Sequence, residues 1–124
     1  MRAPRAKDSV LEGQMCKEKG WRKKWTAWRF VLCGSTRSLR YYARERSRLL
    51  YTAGALRGTI KMDGASVESA DDPGRHGLLI TTRSGKRHPL RCASARDKAR
   101  WSRALTAVAS GTALDARAFC ASFF

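Results

Sequence analysis

Along most of this chain apolar residues return at every second position, in short runs broken by glycine, proline and aspartate. Near the end the repeat lengthens to that of a helix. From Gly13, Met15 and Lys17 share one parity in a first strand-like run. Trp28, Phe30 and Leu32 share one in a second, a turn at Cys33-Gly34-Ser35-Thr36 follows, and Leu39 and Tyr41 mark a third. These three predict a meander. Gly58, Ile60 and Met62 alternate in a fourth run, Asp63-Gly64 is a turn, and Val67 anchors a short fifth. Asp71-Asp72-Pro73-Gly74 reads as a loop. Leu78, Ile80 and Thr82 give a sixth strand, Ser84-Gly85 a tight turn, and His88, Leu90 and Cys92 a seventh. Pro89 has no N–H to give to a ladder, so one side of that strand must face a gap or an edge.

After Cys92 the pattern changes. Ser94 followed three residues later by Asp97 resembles a capping box, and Trp101, Ala104, Leu105 and Val108 fall on one helical face that closes near Gly111. Seven strands and one amphipathic helix predict a mainly β fold: a bent antiparallel sandwich or open barrel, capped by the C-terminal helix. The expected organisation is a loose basic tail over 1–10, one domain over 11–110 and a tail over 111–124, a size that suits a single core.

Charge narrows the class of partner. Lys and Arg total 26 against 10 Asp and Glu, a net charge of +16, and such a field attracts anionic membranes, nucleic acids or acidic protein surfaces. The aromatic residues fall on core positions rather than on a stacking platform, which argues against nucleic acid. The N-terminus has no secretory h-region and no apolar run is long enough to span a bilayer, so the expectation is a cytoplasmic protein that at most lies on a membrane. Cys16, Cys33, Cys92 and Cys120 show no C-x-x-C spacing, so no metal is expected, and the first three read as buried free thiols in strands. Two unpaired histidines, without a Gly-rich phosphate loop or a convergent carboxylate pair, predict a binding module without cofactor rather than an enzyme.

The order of short motifs resembles a pleckstrin homology (PH) domain over about Leu11 to Ser110. The opening E-G-x-L-x-K of the family is here Glu12-Gly13-Gln14-Met15-Cys16-Lys17. A basic loop leads to W-x-x-R-W-F-V-L, here Trp25-Thr26-Ala27-Trp28-Arg29-Phe30-Val31-Leu32. Leu39-Arg40-Tyr41-Tyr42 matches L-x-Y-Y, Gly58-Thr59-Ile60-Lys61-Met62 matches G-x-I-x-L, Leu78 to Thr82 matches F-x-I-x-T loosely, and Trp101 stands for the helix tryptophan. The resemblance implies structural roles for Phe30, Gly58 and Trp101. It also implies a mouth, between the loops after strands one, three and six, where lipid-binding members hold phosphoinositide headgroups.

Carried over by position, the resemblance implies that Lys17 reaches into the mouth, that the Tyr41 hydroxyl bonds a phosphate and that Arg57 is a further basic contact. Arg22, Lys23 and Lys24 form the basic loop, and Lys86 and Arg87 lie beside the mouth. Convergent cations suit a multiply phosphorylated headgroup because charge-assisted bonds are the stronger ones. One departure matters: the position of the family's strand-two arginine holds Trp28, and Arg29 stands where the family has tryptophan. Alternation predicts that Arg29 points to the outer face, as part of an outer-face site, unless a bulge turns it inward. The function expected is membrane targeting through phosphoinositides or other anionic lipids, with a protein-interaction adaptor, taking an acidic partner, as the alternative on the same scaffold.

Overall fold

The computed structural model describes residues 9–19, 24–43, 55–70 and 75–111. Seven strands run in chain order: β1 (Ser9–Lys19), β2 (Lys24–Cys33), β3 (Ser38–Tyr42), β4 (Leu56–Lys61), β5 (Ser66–Ser69), β6 (His76–Thr81) and β7 (Arg87–Cys92). The helix α1 (Ala95–Ser110) follows. They form one antiparallel sheet in the order β4-β3-β2-β1-β7-β6-β5, so β1 joins two consecutive meanders. β1 pairs with β2 along nearly its whole length but meets β7 at only two positions, Cys16↔Arg91 and Lys17↔Leu90. Beyond Leu90 stands Pro89, which pairs with Leu79 of β6 and has no N–H to offer β1; this is the gap its ring required.

The alternation seen in the sequence is the alternation of burial. Met15, Trp28, Phe30, Leu32, Leu39, Ile60, Leu78, Ile80 and Leu90 point into one core, with Trp101, Ala104, Leu105 and Val108 of α1 packed on them. Trp101 is 3% exposed and meets Phe30 edge to face, with 6.5 Å between ring centroids. A second small cluster, Val31, Cys33 and Tyr42, is buried on the opposite face of β2 and β3. β1 starts at Ser9, and Val10 is buried in the core, so the expected tail is too long by two residues. Cys33 and Cys92 are buried thiols, whereas Cys16, on the outer parity of β1, is only half-buried.

The helix begins as its sequence implied: the Ser94 hydroxyl accepts from the Asp97 N–H at 3.1 Å. Gly111 closes it in the left-handed region at φ 80°, with its N–H donating to Val108 O at 3.1 Å. The last turn carries no basic residue of its own. Arg37, from the β2–β3 turn, supplies the charge instead. Its Nε donates to Val108 O at 3.0 Å, its fork also reaches Ala109 O, and its other nitrogen pairs with Asp63 at 2.9 Å. Met62 N–H donates to Arg37 O at 2.8 Å, tying in the β4–β5 turn. One arginine thus joins two turns to the negative end of the helix, and it holds φ 48° to do so. This contact was not anticipated, because no local pattern links residue 37 to residues 108 and 109.

Candidate functional site

The end of the barrel away from Arg37 gathers side chains that alternation alone aims inward. Lys17 shares its parity with buried Met15, and at the rim its Nζ stands 5.6 Å from the centroid of the Tyr41 ring. Tyr41 is half-buried and packs on Phe30 at 5.5 Å and Trp28 at 6.1 Å. Its ring lies across β4 where a Cβ on Gly58 would sit 2.2 Å from the Tyr41 hydroxyl, so glycine is required there. Gly58 therefore leaves the room in which Tyr41 lies.

Lys86 is exposed in the β6–β7 turn. Its carbonyl accepts from Thr82 N–H at 2.8 Å and its own N–H donates to the Thr82 hydroxyl at 3.1 Å. Burial first, and then the charge of Lys86, pull the Lys17 pKa down, with Glu18 opposing. Among the described residues neither lysine is paired with a carboxylate. Beneath them lies His88, 6% exposed and with its Nδ1 unpartnered among the described residues. Burial, then Lys17, then Lys86 push its pKa down to about 4. The imidazole is therefore neutral near pH 7, and a bare Nδ1 lone pair fits a ring protonated at the other nitrogen.

The remaining candidates divide. Trp28 is buried, and Arg29 is on the outer face, 58% exposed by side chain and paired with Glu12 at 2.9 Å. The sheet irregularities lie elsewhere, between Ser9 and Leu11 and between Tyr41 and Tyr42, so no bulge turns Arg29 inward. Arg57 is the extra residue at the second of these: Tyr41 faces Gly58 and Tyr42 faces Leu56. Its side chain is exposed, at a break in the β3–β4 register. Lys24 is exposed at the first position of β2, paired with Lys19, and Arg87 is exposed beside His88. Arg22 and Lys23 lie outside the described residues. His88 was missed as part of the mouth, although its parity with Leu90 and Cys92 marks it as inward-facing.

The pattern that defines the PH domain matches residues 9–110 of this chain. The chain belongs to the PH domain family. Solved structures agree on the fold. The C-terminal PH domain of pleckstrin, in a complex with D-myo-Ins(1,2,3,5,6)P5, superposes with a TM-score of 0.71 at 21% identity, covering 82% of this chain and 95% of that one. The PH domain of human oxysterol binding protein-related protein 11 gives 0.68 at 24% identity, with 82% of each chain covered. A search of curated protein sequences gives no significant match. In this PH domain Lys17, Tyr41, Lys86 and His88 meet at the open end of the barrel, and the helix closes the other.

Proposed function

We propose that this PH domain is a membrane-targeting module that binds phosphoinositides or other anionic phospholipids at the open end of its barrel. The observation that carries the reading is the convergence of Lys17 and Lys86. A half-buried lysine whose pKa is lowered by burial first and by a second lysine next is an electrostatic arrangement that an anion would complete. A phosphate between them would reverse the sign of the field on both and accept bonds from each. Tyr41 borders the same space, and Lys24 with the basic β1–β2 segment adds long-range attraction to an anionic surface. Pleckstrin's C-terminal PH domain, known in complex with an inositol pentakisphosphate, supports the same class of ligand here.

Trp28 sets the mode. An arginine at that position would bring a fork to the phosphates, whereas the indole is part of the core and the nearest strand-two guanidinium, Arg29, is held outside by Glu12. The reading is therefore of weak headgroup selection over strong attraction to anionic surface. It implies peripheral attachment to a cytoplasmic membrane face; among the described residues no helix is long and apolar enough to cross a bilayer. Sedimentation with liposomes tests it. Phosphoinositide vesicles and charge-matched phosphatidylserine vesicles should both retain the protein at low salt and release it as salt rises, while neutral phosphatidylcholine does not bind it. Loss of neither on raising salt, or no binding to anionic vesicles at low salt, would overturn the proposal.

A further inference from the structure

On the outer face of the sheet, away from the mouth, Arg91 of β7 lies over the Trp25 ring of β2, its guanidinium carbon 3.6 Å from the ring centroid. The stacking covers a face of the guanidinium and fixes its plane, but the N–H fork lies at the edge and stays available. Among the described residues no carboxylate pairs with Arg91 or with Arg75. Both arginines line two adjoining clefts, of about 360 Å³ and about 680 Å³, on either side of the two-position ladder between β1 and β7. The smaller cleft has an apolar floor of Leu79 and Pro89, with Trp25 beside it. Gly77, directly opposite Arg91 on β6, has no Cβ because the Ala70 carbonyl occupies that position, and its own carbonyl accepts from Ala70 N–H at 3.0 Å.

We propose that this outer face of β1, β7 and β6 is a second binding site, for an acidic segment of a partner protein, in which Arg91 and Arg75 hold a carboxylate while an apolar neighbour rests on Leu79 and Pro89. The charge of the cleft selects that occupant. Two guanidinium forks match carboxylates bidentately, and Glu18, the one carboxylate among the described residues that line the smaller cleft, disfavours a phosphate dianion more than a singly charged group. Asp97, at the far side of the larger cleft, is already engaged with Arg100 at 3.8 Å and belongs to the helix cap. An apolar floor beside two forks suits a peptide in which acidic and apolar residues alternate, since an extended chain points successive side chains to opposite sides and places every second one on the protein.

The test is titration of the isotope-labelled full chain, followed by NMR, with an acetylated and amidated peptide of alternating glutamate and leucine. Shifts should appear at the amides of Cys16, Gly77 and Arg91 and at the Trp25 indole N–H. A glutamine–leucine peptide should produce none. Arg91→Lys keeps the charge but loses the fork and the stack, and should weaken binding about ten-fold with an unchanged melting temperature. Lys17→Ala should leave the peptide affinity as it was. Shifts centred on Lys17, Tyr41 and Lys86, or equal binding by Arg91→Lys, would overturn the site. So would an Arg91→Lys protein that binds the peptide normally but has lost binding to anionic vesicles, because the cleft would then be a lipid surface.

Discussion

The two ends of this barrel use the same kind of residue for opposite purposes. At the closed end Arg37 is fully engaged: two helix carbonyls and the Asp63 carboxylate surround one guanidinium. At the open end Lys17 and Lys86 oppose each other over a neutral, buried His88, with no ion pair among the described residues. A satisfied cation contributes to folding, whereas cations left facing one another weaken the fold and favour an anion that arrives later. A basic residue's contribution to this fold is decided by whether the fold also brings it an acceptor.

Four experiments test that contrast. The largest effect belongs to Trp101→Ala at the closed end, where removing a buried aromatic costs about 3–5 kcal/mol. Thermal melting should fall by more than about 10 °C; a drop of a degree or two would mean that the helix does not rest on this ring. Next is Arg37→Ala, which leaves two helix carbonyls and Asp63 without their donor and should cost about 2 kcal/mol in denaturant unfolding while liposome binding is preserved. If stability were unchanged, the closed end would not depend on this arginine.

Lys17→Met reverses the pattern. It removes a half-buried cation from a like-charged neighbour, so stability should hold or rise slightly, while affinity for a soluble inositol polyphosphate falls about ten-fold by calorimetry. Equal losses of stability and affinity would mean that Lys17 is structural. The smallest effect is the pH dependence of His88. Its pKa in the fold is depressed to about 4, below the ordinary 6.5, so its contribution is complete above pH 6.5 and is lost as pH falls toward 4. Between pH 7 and 5.5 the loss should be about 1 kcal/mol. His88→Gln should flatten that part of the curve, and an unaltered slope would show that the imidazole is not held neutral by the fold.

Much of the architecture was legible because its signals are local. Alternation at Trp28, Phe30 and Leu32, the helical spacing of Trp101, Ala104, Leu105 and Val108, and the Ser94 and Gly111 caps each depend on neighbours within a few residues. Burial and capping then follow from backbone geometry. The outward direction of Arg29 was legible for the same reason, since a strand without a bulge leaves it no choice. The bulge at Arg57, opposite Tyr41 and Tyr42, was not legible in the sequence, because a bulge is a property of two paired strands.

The rest belongs to tertiary structure. Lys17, Lys86 and His88 come from the first and last strands and a turn, and they meet only because β1 bridges two meanders and its ladder with β7 stops at Pro89. Arg37 reaches Val108 and Ala109 for a similar reason: the helix end lands on the β2–β3 turn once the core has closed. Residue pattern determined which way each side chain faces, because that follows from the period of its own element. Which cations receive an acceptor and which do not depended on register and bend, and these are set by the packing of distant segments.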